Sequence, residues 1–439
     1  MTKKSELFFA LVLFALVAGL SLVFQKPLTY HDGQGWDGVA YYQLAQQVAQ
    51  HEPLRAIGPF AFRLGTPVLV GVLFPGKLLL GFKLVNLIGC LLSTVLLTFW
   101  LRRFVASSWL RLALVVGSLT QWHAPLRFTA HYAAYTDPWL FVFLLGGLLA
   151  LPWGTGTPPA YPTSGAPATP SPSGSAFRGR RGGAEGRGGG VYGGVYGGVQ
   201  SWWFVGLCFV GGLFRESVVV VPLALLLASR GRAWLPLLAG GLGIVATHLL
   251  AHQSDSYSFA RTVGQWAYNK PLPVYLHGLF IAFGPALVLP IFFWRTAGAW
   301  LKGQPVLAWT LGIFLVLGWV GGSDTERIVY WAMPVVYALI GVILEKHALP
   351  RGFLIALVAL QLLSHRIFWL LPDFPSTGSS PLPLFTPPTS TCQYPDLWSY
   401  QAERRIQLVA LVEYLLVALG LWLWLAWEQR RNASRKPTS

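Results

Sequence analysis

The sequence predicts an all-α, polytopic membrane protein with about twelve transmembrane helices, and three observations predict it. Of the 439 residues 54% are hydrophobic and 11% are charged, with a mean hydropathy of +0.53. A soluble domain is apolar in about half of its residues and charged in about a quarter. The apolar residues also gather in runs close to the roughly 20 residues that a spanning helix needs. Finally, the charges sort by sign when the chain is threaded alternately through a bilayer.

The candidate spans, in order, are 7 to 24, 81 to 101, 107 to 122, 137 to 153, 201 to 214, 217 to 229, 233 to 250, 276 to 294, 304 to 321, 328 to 344, 352 to 370 and 406 to 427. The first follows MTKKSE and carries no small-residue cleavage site, so it reads as an uncleaved signal anchor with a cytoplasmic N-terminus. Threading from there puts Lys3, Lys4, Arg102, Arg103, Arg111, Arg230, Arg232, Arg295, Lys302, Lys346, Arg351 and the tail RRNASRK inside. Outside fall Asp32, Asp37, Glu52, Asp137, Glu216, Asp255, Asp324, Glu326, Asp373, Asp396 and Glu403, which are 11 of the 16 acids. This asymmetry accounts for the formal charge of +16 without a nucleic-acid partner. A bacterial inner membrane with both termini cytoplasmic is the expected location. Cys90, Cys208 and Cys392 are far apart and match neither a disulfide framework nor a zinc site.

Composition divides the chain further. Residues 1–153 form an N-terminal membrane block with a first outer loop at 25–80. Residues 154–200, rich in Pro, Gly and Ser, are expected to be a disordered cytoplasmic linker. Residues 201–428 form a C-terminal membrane block with a Pro-rich outer loop at 371–405, and 429–439 is a basic cytoplasmic tail. No G-x-x-x-x-G-K-[ST] motif appears, nor a G-x-G-x-x-G motif between a strand and a helix.

The groups that carry chemistry cluster at the outer ends of the spans. In GWDGVAYYQLAQQV, Tyr41, Leu44, Ala45 and Val48 recur at helical spacing opposite Gln43, Gln46, Gln47 and Gln50, which predicts a short amphipathic helix flat in the outer interface. Asp37 begins it. An acid there caps free N–H groups, serves as a general base on an acceptor hydroxyl, or helps hold a divalent metal ion. Asp32, beside His31, is a second acid in the same loop. Asp137 in YTDPWL and Asp324 and Glu326 in GGSDTERIVYWAMP stand at helix starts, where capping is the ordinary role. Arg327 opposes the helix dipole at its position and calls for an anion such as a phosphate. Arg215 and Glu216 in LFRESVVVVPL form a charged pair between two half-length apolar runs, and mutual pairing would satisfy both. Arg63, Arg127, Arg261, Lys270 and Arg366 add positive charge to the same rim. Glu413 is the main charge near the midplane, where pairing within the bundle is expected.

The ordered set WDGVAYYQLAQQV, FAFRLGTPVLVGVL, YTDPWL, LFRESVVVVPL and SDTERIVYWAMP resembles the C-class glycosyltransferase superfamily (GT-C), in particular its uncharacterised bacterial members and the polyprenyl-dependent mannosyl- and arabinosyltransferases. The resemblance covers most of the membrane region in the right order. It implies a GT-C-like fold and transfer of a sugar from a polyprenyl-phosphate-linked donor to a glycan, lipid or protein acceptor of the envelope. It also implies catalytic roles for Asp37 and Asp137 and donor-phosphate binding by Arg215 and Arg327. Asp32, which matches the pattern less closely, and Arg63, Glu216 and Asp324 are expected as supporting residues by their place at the same rim. The chain departs from the pattern in having no compact D-x-D or D-D pair, which leaves metal dependence open. The competing class is a secondary transporter of a small or lipid-linked anion, which would place ionisable groups near the midplane and repeat one half of the chain in the other.

Overall fold

The computed structural model describes residues 1–151, 202–253, 257–367, 370–374 and 398–434, and it is almost entirely helical. The linker at 154–200, residues 375–397 of the second outer loop and the tail beyond 434 lie outside the described residues. The first block contains α1 (Lys3–Phe24), α2 (Asp37–Ala49), α3 (Gly65–Leu73), α4 (Leu78–Leu101), α5 (Ser108–Thr120), α6 (Pro125–His131) and α7 (Asp137–Ala150). The second contains α8 (Trp202–Phe214), α9 (Val220–Ala228), α10 (Leu235–Leu250), α11 (Phe259–Asn269), α12 (Leu272–Phe283), α13 (Val288–Phe292), α14 (Trp294–Gly303), α15 (Pro305–Val320), α16 (Thr325–Tyr330), α17 (Met333–Lys346), α18 (Arg351–Ser364) and α19 (Arg404–Ser434). The two blocks share one core, to which Leu97, Phe141 and Leu144 contribute from one side and Val221, Phe314 and Tyr330 from the other.

Among the described residues four helical segments are long and apolar enough to cross a membrane: α1, α4, Leu272–Phe292 and Arg404–Arg431. The pair α14 and α15, bent by 115°, would make a fifth. The remaining expected spans are shorter or broken. Residues 217 to 229 begin in the 3-10 turn Glu216–Val219, and 328 to 344 is interrupted between Tyr330 and Met333, just before Pro334. Proline lacks an N–H and clashes with the preceding turn, so it starts helices and does not continue them. The helix it starts, α17, is buried on every side from Met333 to Ile343 and forms the central post of the bundle.

Charge sits at both ends of this bundle. At the α1 N-terminus the buried Glu6 accepts from Arg111 Nε (2.6 Å) and Arg102 Nε (3.1 Å), joining α1 to the end of α4 and the start of α5. At 1.5 Å per residue, the 22 residues of α1 carry the chain about 33 Å to the opposite end. There lie the first residues of α2, α7 and α16.

The segment expected to be the first outer loop is folded. Helix α2 buries the predicted face, Tyr41, Leu44 and Ala45, while Gln43, Gln46 and Gln50 stay exposed. That apolar face is covered by α3: a Cβ on Gly71 would stand 2.5 Å from Ala45 O. The apolar face of this helix is therefore docked on protein. A two-residue parallel bridge pairs Arg55–Ala56 with His252–Gln253 and ties this segment to the chain after α10.

Candidate active site

Two aspartates and two arginines from four separate helix ends meet at the end of the bundle opposite Glu6. Asp37 opens α2. Its start is held by Trp36, packed among Tyr30, Tyr132 and Phe374, and by Gly38 N–H, which donates to Tyr132 Oη at 2.6 Å. Two glycines allow that approach. Gly35 has φ +73°, and a Cβ there would fall 2.5 Å from the Tyr132 ring; a Cβ on Gly38 would fall 2.6 Å from Ala134 Cβ. One turn on, Tyr41 Oη accepts from Arg63 Nη1 at 2.9 Å. Arg63 in turn donates from Nε to both Glu216 oxygens at 2.9 and 3.1 Å.

Asp137 opens α7 and is fully buried. It accepts hydrogen bonds from the Tyr135 hydroxyl and Arg215 Nη1, and from Trp331 Nε1 at 3.1 Å. Arg327 Nε approaches it at 3.7 Å. Arg215, 2% exposed, also donates to Thr136 Oγ1 at 3.3 Å and lies over the Trp331 ring at 4.8 Å. Arg327 is shared: its Nη1 is 3.0 Å from Asp324 Oδ2 and 3.6 Å from Asp37 Oδ2. Burial opposes the charge on Arg327, yet Asp324, Asp137 and Asp37 hold it firmly protonated. Burial and the neighbouring carboxylate push the Tyr135 phenol well above its ordinary pKa, so it serves as a neutral donor.

These placements change several roles. None of Asp37, Asp137 or Asp324 makes a side-chain capping bond at its helix start; all three carboxylates meet a guanidinium instead. Arg215 and Glu216 do not pair with each other. They point apart, to Asp137 and Arg63, because the 3-10 turn between α8 and α9 presents successive side chains in different directions. Asp137 and Arg215 are sealed from solvent. The accessible pair is Asp37, with 37% of its side chain exposed, and Arg327, with 13%. Asp32 stays on an exposed turn at φ +54°, apart from this cluster. Among the described residues no three His, Cys, Asp or Glu side chains group as metal ligands would. Asp37's ionic partner here is a guanidinium.

Comparison with known protein families, curated proteins and solved structures yields no match.

Behind Arg327 lies a second polar layer, in which Glu326 and Lys270 are joined by His123 and Ser399, two residues that the sequence pattern did not single out. Glu326 is fully buried and accepts from Ser399 N–H at 3.0 Å and from the Ser399 hydroxyl. His123 Nε2 stands 3.9 Å from it. Burial raises the Glu326 carboxyl to about 7. Lys270 Nζ donates to Gly318 O (2.7 Å), Gly322 O (2.6 Å) and Thr325 Oγ1 (2.8 Å), and burial lowers it to about 8 against the pull of Glu326 and Asp324. Together these bonds fix the approach to α16, and so the base of Arg327. Tyr135 and Trp331 were likewise missed. The signal for them was adjacency: an aromatic donor two residues before Asp137 and another four residues after Arg327.

Proposed function

We propose that the protein is a membrane glycosyltransferase that moves a sugar from a polyprenyl-phosphate-linked donor to an envelope glycan, lipid or protein acceptor on the outer face of the membrane. The observation that carries this reading is the meeting of Asp37, Asp137, Arg215 and Arg327 at one end of an apolar helical bundle, with only Asp37 and Arg327 open to a ligand. Nucleotide sugars are cytoplasmic, so a transferase with its charged site outside draws its sugar from a lipid carrier.

Displacement at the anomeric carbon needs a base on the acceptor hydroxyl and positive charge at the departing phosphate. Asp37 takes the hydroxyl proton, the acceptor oxygen bonds to the anomeric carbon, and the bond from that carbon to the phosphate oxygen breaks. Arg327 receives the charge released on the phosphate. One displacement inverts the anomeric centre. The 3.6 Å pairing of Arg327 with Asp37 fits this sequence. A donor phosphate competes for the guanidinium and frees the carboxylate to act as base, while Asp324 at 3.0 Å keeps the arginine in place.

The test is incubation of the purified protein in liposomes with polyprenyl-phosphate-linked sugars and candidate acceptors. The reading expects free polyprenyl phosphate and a glycosylated acceptor to appear together. Passage of an intact sugar lipid or small anion across the bilayer, with no bond broken, would replace it with the transporter reading.

A further inference from the structure

Glu326 and Arg327 are neighbours on α16 that face opposite ways. Arg327 turns to Asp37, Asp137 and Asp324, while Glu326 turns inward and is fully buried. There it meets donors from a distant part of the chain. Ser399, in the turn 398–402 that leads into α19, gives it an N–H at 3.0 Å from Oε1 and a hydroxyl at Oε2. Trp398 seats this turn edge-on against Trp122 (5.6 Å), His123 (5.0 Å) and Phe128 (5.9 Å). Gly278 of α12 permits the approach, since a Cβ there would stand 2.7 Å from Thr325 Cγ2 and 3.2 Å from Ser399 Oγ.

Among the described residues no cation pairs with this carboxylate. Lys270 acts on it from nearby, but its three Nζ protons go to Gly318 O, Gly322 O and Thr325 Oγ1. His123 Nε2 stands 3.9 Å from Oε1, and neither of its ring nitrogens makes a hydrogen bond. Burial, and then the charges of Arg327 and Arg366, press the His123 imidazole well below its ordinary pKa, so it is neutral. On α16 itself, Asp324 repels a charge on Glu326. Of the helices packed on α16, α15 has no titratable side chain, and α12 offers only His277 and Tyr275, whose hydroxyl donates to Leu315 O. In and beside the turn, Tyr400 and Glu403 are exposed. A buried carboxyl without a counter-ion is stable as the acid and costly as the anion. The acid keeps both bonds to the turn, because Oε2–H donates to the Ser399 hydroxyl oxygen while Oε1 accepts the Ser399 N–H.

We propose that Glu326 is a proton-controlled latch on the turn 398–402: as the acid it holds the turn against the start of α16, and as the anion it draws in water and releases it. The proton passes to water as the turn opens. Release also loosens Thr325 and with it the base of Arg327, so the latch sets how firmly the exposed cation of the candidate site is held. The latch rests on the packing around Glu326 and does not depend on the transferase reading.

Hydrogen exchange of the full chain in one fixed nanodisc composition, at pH 5 and pH 7 and corrected for the intrinsic pH dependence of amide exchange, tests this at the Ser399 N–H, which the latch itself holds. A carboxyl near 7 in the closed latch and near 4.5 in water makes opening about 40-fold more frequent at pH 7 than at pH 5. Protection of this amide in the wild type should fall by that factor. Lys270, which titrates near 8, stays largely charged over the range. Glu326→Gln copies the acid form, so its protection should hold at both pH values. Ser399→Ala removes the hydroxyl and keeps the N–H, and it should lower protection at pH 5 by about fivefold, the worth of one buried hydrogen bond. Wild-type protection that does not change with pH, an equal fall in Glu326→Gln, or a Ser399→Ala variant protected like the wild type at pH 5 would each overturn the proposal.

Discussion

Asp137→Asn removes one charge from a carboxylate whose two oxygens are both fully engaged. Oδ1 accepts from Arg215, and Oδ2 from Tyr135 and Trp331 with Arg327 close by. Whichever way the new amide turns, its NH2 group meets a donor. Arg215 loses its buried counter-ion outright, and breaking such a pair from one side costs about 3–5 kcal/mol. Arg327 loses less, because Asp324 at 3.0 Å and Asp37 at 3.6 Å remain. We therefore expect Asp137→Asn to destabilise the protein by about 3–5 kcal/mol in denaturant unfolding within one fixed nanodisc composition. Adding Arg215→Met removes the stranded charge, so the double variant should be at least about 1 kcal/mol more stable than the sum of the single losses predicts. A loss below about 1 kcal/mol, or strict additivity, would refute the role given to Asp137 as the buried anchor of both arginines.

Three further outcomes follow from the same geometry. Glu326 has a folded pKa near 7 against an ordinary 4.5, so its contribution to stability is fully present below about 4.5 and is lost as pH rises through 7. Glu326→Gln should flatten that decline and gain up to roughly 3 kcal/mol at pH 8, read from unfolding at pH 5 and pH 8; an unchanged pH slope would contradict it. Gly38→Ala drives a methyl group against Ala134 and Tyr132 and displaces the start of α2. It should lower transfer at least about tenfold while the protein still reaches the membrane in normal amount, which immunoblotting and activity together check. Glu216→Gln weakens the hold of Arg63 on Tyr41, and loss of activity with a shifted pH profile, more than loss of protein, is the expected result.

Much of this arrangement is legible in the sequence, and the unreadable part has a physical reason. The long apolar runs at 7–24 and 406–427, and the helical period from Tyr41 to Val48, depend on local pattern, and the helices lie there. The gathering of Asp37, Asp137, Arg215 and Arg327 could be suspected from their common place at helix ends. Which charge meets which could not. Arg215 is next to Glu216 in sequence yet bonds to a residue 78 positions away, because the 3-10 turn and the packing of α7 on α8 set the direction of each side chain. Helix length was equally hidden. An apolar stretch such as 328–344 reads as one span, and only the break before Pro334 divides it. The covering of α2 by α3 depends on the close approach at Gly71, which hydropathy does not encode.

The central claim is that Asp37 is the base, and Asp37→Asn tests it most directly. The side chain is 37% exposed and its partner lies at 3.6 Å, so its loss should cost less than about 1 kcal/mol of stability. In liposomes with a polyprenyl-phosphate-linked sugar, Asp37→Asn should transfer sugar at least about 100-fold more slowly than the wild type, while still binding the lipid donor. Transfer at the wild-type rate, from a variant present at the wild-type level, would contradict the assignment.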